Sequence, residues 1–191
     1  MPTGLQRIRS FNASSSGPAT CQSFASVIRT SWLELVQWET IDGGWREQWR
    51  YRTDADPIVM EDHAAHGSHR DPPLLVEEVR AFEAAVEALP VSPERDAVQA
   101  HLSATCYVTV AVLSDAADSR GRLAAWTLLA PFVAEYGGLI HAEREGFYEG
   151  SRLILPTPNL VLRLSNSPDH QCLFHEGRDS ARHAPRSRQR T

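Results

Sequence analysis

Thr105-Cys-Tyr-Val-Thr-Val-Ala-Val-Leu113, then Arg122-Leu-Ala-Ala-Trp-Thr-Leu-Leu-Ala-Pro-Phe-Val-Ala-Glu-Tyr136, then Gly137-Gly-Leu-Ile-His-Ala142: these three runs decide the fold. The first is rich in β-branched and aromatic residues, which suit a pleated, packed surface. Cys106, Val108, Val110 and Val112 fall on one face, and Tyr107, Thr109, Ala111 and Leu113 on the other. Both faces are mostly apolar, which predicts a central strand rather than an edge. In the second run Leu123, Trp126, Leu129, Val133 and Tyr136 recur at three- and four-residue steps, widened by Leu128 and Phe132, as in a largely buried helix. Side-chain oxygens over 114–119 can cap its start. Pro131 predicts a kink near Thr127, and Gly137 is placed to end the helix in the left-handed conformation. The third run reads as a strand, followed by a hairpin over 146–155 that closes at Pro156 and Pro158.

Outward from this unit, Trp32 to Arg52 holds four of the five tryptophans, in two runs flanking Asp42-Gly43-Gly44. Asp-Gly between such runs signals a β-hairpin. In the second run Trp45, Trp49 and Tyr51 share one face and Arg46, Gln48, Arg50 and Arg52 the other, which fits a half-buried antiparallel strand. Residues 54–73 read as a long proline-punctuated loop, of the kind that is often functional or mobile. Pro73 opens an amphipathic helix with Leu75, Val79, Phe82, Val86 and Leu89 inward and Glu77, Glu78, Arg80, Glu83 and Glu87 outward. Ser92-Pro93-Glu94 caps a short helix reaching about Leu102. The resulting order, β-β-α-α-β-α-β-β, predicts an α+β fold: a mixed or antiparallel sheet with helices packed mainly on one face.

The 191 residues favour one domain, and an apolar fraction of 42% suffices for a core. Residues 1–23 read as a disordered N-terminal tail, 24–164 as the single α+β domain, and 165–191 as a disordered basic C-terminal tail. The net charge of −5 argues against general affinity for nucleic acid or anionic lipid. No apolar run is long enough for a membrane-spanning helix, and residues 1–24 lack a secretory pattern. Three scattered cysteines suit a reducing, cytoplasmic compartment. The helix–Gly-Gly–strand–Glu-Gly-Phe-Tyr arrangement is similar to that of small bacterial α+β proteins, and this likeness carries no chemistry.

Three constellations are candidates for function. His63, His66 and His69, with Glu61, Asp62 and Asp71 beside them, offer ligands for a divalent metal such as zinc, although Gly67 interrupts any shared helical face. A solvated histidine-containing loop gives the same pattern. His141, Glu143 and Glu145 alternate along a strand and would project together as a general acid–base set, as they also would on an inert polar face. Trp45 and Trp49 with Arg46 and Arg50 carry the parts for base stacking and phosphate contact. The two types fall on opposite faces, however, so core tryptophans behind a solvated arginine stripe is the better account. Aromatic and arginine side chains are also those enriched at protein interfaces, and Glu83 and Glu87 could meet a basic partner. The sequence therefore predicts a cytoplasmic protein-binding domain of adaptor or toxin-neutralising type, without catalytic activity and with no cofactor. The alternative is a metal-dependent hydrolase using the His63/His66/His69 loop.

Overall fold

A computed structural model of the chain describes residues 5–13, 31–41, 44–64 and 73–158. The strands are β1 (Leu5–Asn12), β2 (Glu34–Ile41), β3 (Gly44–Arg50), β4 (Ile58–Ala64), β5 (Tyr107–Ser114), β6 (Leu139–Ala142), β7 (Gly146–Glu149) and β8 (Arg152–Pro156). The helices are α1 (Pro73–Glu87), α2 (Pro93–Ser103) and α3 (Ser119–Tyr136). The strands form one eight-stranded sheet in the order β2-β3-β4-β5-β1-β6-β7-β8, antiparallel throughout. The fold is α+β, as the periodicity predicts.

Strand β5 is apolar on both sides because each side meets a different helix layer. Ala111 and Leu113 join Ile8, Trp45, Trp49, Met60, Leu128 and Phe132 beneath α3. Val108 and Val110 join Phe11, Phe82, Val98, Leu102 and Phe147 beneath α1 and α2. Helices α1 and α2 pack together on one face of the sheet, and α3 covers the other. A strand apolar on both sides can only be kept from water by cover on both.

Two stretches differ from their sequence reading. Residues 5–12, assigned above to a disordered tail, form β1 at the centre of the sheet, pairing with β5 on one side and β6 on the other. Ile8 and Phe11 are fully buried. The strand looks polar because Arg9 lies in it, and Arg9 is itself only 2% exposed, neutralised by Glu78 of α1. The ordered domain therefore begins by Leu5, not Phe24. Residues 58–64, assigned to the long loop, form β4, whose Ile58 and Met60 point beneath α3. The remainder of the two assigned tails, 1–4, 14–23 and 165–191, lies outside the described residues.

The helix ends follow local chemistry. Ser92 accepts from the Arg95 amide at the start of α2, and Asp118 from the Gly121 amide at the start of α3. Gly137 ends α3 at φ 65°, where a side chain would be strained. Helix α3 runs through Pro131 as one element. Gly138 is required for a different reason: a Cβ there would come 2.3 Å from Asn12 Oδ1, so the entry of β6 against β1 leaves no room for one.

Candidate functional site

The tryptophans of β3 belong to the core. Trp45 is 7% and Trp49 3% exposed, and Trp45 stacks on Phe132 of α3 with centroids 5.9 Å apart. Between them on the same face, Glu47 is buried and accepts a 2.8 Å hydrogen bond from Trp49 Nε1. On the opposite face Arg46 donates to Glu61 of β4 at 2.8 Å and to Glu39 of β2 at 3.2 Å, and Arg50 donates to Glu34 at 3.1 Å. These are direct cross-strand pairs. Trp45 and Trp49 are therefore no binding platform, and Arg46 and Arg50 are already neutralised. On α1, Glu83 accepts from Ser103 of α2 at 2.9 Å, Glu87 is exposed, and Glu78, placed outward by the sequence reading, is buried.

The proposed acid–base set does not converge. His141 is 1% exposed, wedged between Phe82 and Phe147 with ring centroids 4.7 Å from each. Its Nε2 lies 3.4 Å from Thr157 Oγ1, and its buried Nδ1 has no hydrogen-bond partner among the described residues. Burial, and secondarily the charge of Arg9 on the neighbouring strand, pushes its pKa down to about 3. Strand β6 stops at Ala142, and Arg144 takes a left-handed conformation at φ 67°. That turn breaks the alternation that would align the three residues. Glu143 accepts from the Arg7 amide at 3.2 Å, while Glu145 pairs with Arg122 of α3 and accepts from Tyr148 at 2.6 Å. Arg122 belongs to the helix on the opposite face of the sheet from Phe82, so His141 and Glu145 point to different layers.

Of the histidines offered as metal ligands, His63 lies in β4, where its backbone pairs with Gly44 and Val108. Its side chain, and His66 and His69 altogether, lie outside the described residues. Among the described residues no three His, Cys, Asp or Glu side chains are grouped to hold a metal ion, and no helix is long and apolar enough to cross a membrane.

The feature with the character of a docking site is strand β2. It ends the sheet, pairing with β3 alone among the described strands. Three of its large apolar side chains face water: Leu35 at 37%, Val36 at 43% and Trp38 at 44% exposure. The register shifts at Val36, which sets Leu35 opposite Trp49 and Trp38 opposite Glu47. The bulge therefore brings Leu35 and Trp38 onto one face, the α3 face, although they are three residues apart. An edge strand offers a row of unpaired N–H and C=O groups, and monomeric proteins commonly blunt such edges with Lys, Pro or a short strand. The opposite edge is blunted in that way: β8 has five residues, begins with Arg152 and ends with Pro156. Strand β2 has eight residues, Glu-Leu-Val-Gln-Trp-Glu-Thr-Ile, without Lys, Arg or Pro. Its two glutamates are held by Arg46 and Arg50. Reading the hairpin as two equivalent halves concealed this site. The signal in the sequence was that the β2 half lacks the polar alternation of an exposed edge.

Compared with protein-family models, curated proteins and solved structures, the chain matches none.

Proposed function

We propose that the chain is a protein-binding domain, without catalytic activity of its own, that takes an extended segment of a partner protein along the free edge of β2. The supporting observation is the eight-residue terminal strand with Leu35, Val36 and Trp38 exposed and no protective residue. In strand addition, backbone hydrogen bonds supply affinity and alternate side chains supply specificity. Leu35 and Trp38 would receive apolar side chains on the α3 face. An adaptor or a toxin-neutralising protein would use the surface in the same way. A cytoplasmic setting is part of the proposal, supported by the free thiol of Cys106 and the odd number of cysteines.

Peptide display against the whole chain tests this reading. Enriched peptides are expected to be extended, with apolar residues at alternate positions. Because truncating a central aromatic anchor typically costs about 2 kcal/mol or more, Trp38→Lys is expected to weaken binding at least ~30-fold while leaving the melting temperature nearly unchanged. Peptides that bind Trp38→Lys as tightly as the parent would remove β2 as the docking edge.

A further inference from the structure

A segment suited to the β2 edge occurs in the chain itself. Residues 160–165, outside the described residues, read Leu-Val-Leu-Arg-Leu-Ser. Laid out as a strand, Leu160, Leu162 and Leu164 share one side, and Val161, Arg163 and Ser165 the other.

Strand β2 presents the matching halves. On the α3 face stand Trp38 and Thr40, opposite Glu47 and Trp45 of β3. On the other face stand Gln37, Glu39 and Ile41, opposite Gln48, Arg46 and Gly44. Glu39 is available: its side chain is 41% exposed, Arg46 meets only its Oε1, and its Oε2 has no hydrogen bond among the described residues. An antiparallel strand with Arg163 across from Glu39 sets Leu164 across from Trp38, Leu162 across from Thr40 and Val161 across from Ile41. The leucines then fall on the apolar side, and the cation meets the open carboxylate oxygen. A shift of one residue turns Arg163 onto the face of Trp38. A shift of two leaves Glu39 facing Val161 or Ser165. Charge and alternation together select one register.

Chain length decides whose β2 is filled. Strands β2 and β8 are the two ends of the sheet, seven strand spacings or ~33 Å apart along it. Helix α3 packs on β3 through Trp45 and Phe132 and on β7 through Trp126 and Tyr148, and so keeps the two edges apart. The chain leaves β8 still extended: the Thr157 amide donates to the Glu145 carbonyl at 2.9 Å, and Pro158 is the last described residue. Leu160 follows two residues later, a reach of at most ~7 Å. Residues 160–165 therefore do not reach the β2 edge of their own chain.

We infer that residues 160–165 of one copy add as a strand to the β2 edge of a second copy. The inference rests on β2 being a docking edge and names its occupant. Donor segment and acceptor edge belong to opposite ends of one sheet, so the contact is head-to-tail and each chain carries one of each.

Sedimentation equilibrium of the full chain is expected to show a mass that rises with concentration beyond one chain. Two variants separate the halves of the contact. Trp38→Lys keeps the donor and lacks the acceptor, whereas Leu162→Asp/Leu164→Asp keeps the acceptor and lacks the donor. Each alone is expected to be monomeric, with the melting temperature of the parent in dilute solution. Their equimolar mixture should form a 1:1 pair and nothing larger. A synthetic peptide of residues 159–166 should bind the Leu162→Asp/Leu164→Asp chain and dissociate the parent assembly. Arg163→Gln in that peptide should weaken binding about two- to fivefold, the worth of one cross-strand charge pair. A parent that stays monomeric up to ~1 mM would overturn the inference. So would assembly retained by Leu162→Asp/Leu164→Asp, which would mean that β2 pairs with another β2, or a marked fall in its melting temperature, which would mean that the leucines pack within their own domain. Display-selected peptides that still require Trp38 while peptide 159–166 does not bind would leave the docking edge standing and remove this occupant.

Discussion

Replacing Arg9 with methionine is expected to destabilise the fold by about 3–5 kcal/mol, the usual consequence of leaving one partner of a buried ion pair behind. Arg9 is central in the sheet, between Val110 of β5 and His141 of β6. Its Nε and one terminal nitrogen both lie 2.6 Å from Glu78 Oε1, and its guanidinium carbon sits 5.3 Å from the Phe82 ring centre. Methionine can fill much of the volume, but it leaves the Glu78 carboxylate without the cation that balances it. Desolvating both charges offsets most of their attraction, so replacing both partners together costs far less than removing one. The double variant Arg9→Met/Glu78→Met should therefore recover most of the loss. Urea denaturation of the parent, both single variants and the double variant gives the coupling directly. A loss below about 1 kcal/mol in Arg9→Met would mean that the pair is solvated rather than buried.

The second large effect is a pH dependence set by His141. Its pKa is about 3 in the folded chain and 6.5 in the ordinary unfolded range. The folded state thus holds this imidazole neutral while the unfolded state protonates it. Above about pH 6.5 both states are neutral and the contribution is complete. As pH falls from 6.5 the unfolded state takes up a proton that the native state refuses, and stability falls by about 1.4 kcal/mol per pH unit until the folded group also titrates near 3. The full span amounts to about 4–5 kcal/mol. His141→Leu, held between Phe82 and Phe147, should lose this slope. The urea midpoints of parent and variant between pH 7 and pH 4 report it as a difference of one bound proton. Parallel pH profiles would show that His141 reaches solvent in the native state.

Much of the fold is legible in the sequence where the periodicity has a single physical cause. Strand β5 reads correctly because apolar residues on both faces have one explanation, α1 because Val79, Phe82 and Val86 form one buried stripe, and α2 because Ser92 caps it; in α3 the buried residues are Ala124, Ala125, Leu128, Leu129 and Phe132, while Leu123, read as part of the inward stripe, is 59% exposed. Strand β1 does not, because arginine is normally solvated and the partner that makes Arg9 tolerable lies 69 residues away in α1. Glu78 was assigned outward for the same reason. Strand β4 was hidden because three apolar residues are followed by Glu61, Asp62 and His63, and Glu61 is polar only to meet Arg46 across the sheet. Sites fared worse than elements. The direction of His141 depends on where β6 stops and on the left-handed turn at Arg144, neither of which the alternation of residue types records. The exposure of Leu35 and Trp38 follows from strand order and a one-residue register shift, both long-range properties of the sheet.

The free edge of β2 is the premise of the functional reading, and amide hydrogen exchange on the full chain tests it most directly. In the free protein the amides of β1 and β5, flanked by strands on both sides, should exchange slowest, while the outward-facing amides of β2 exchange orders of magnitude faster. Saturation with a display-selected peptide should slow those outward amides between Leu35 and Glu39 and leave β8 unchanged. Amides of β2 already as slow as those of β5 in the free chain, or still fast when the peptide is saturating, would contradict docking at this edge.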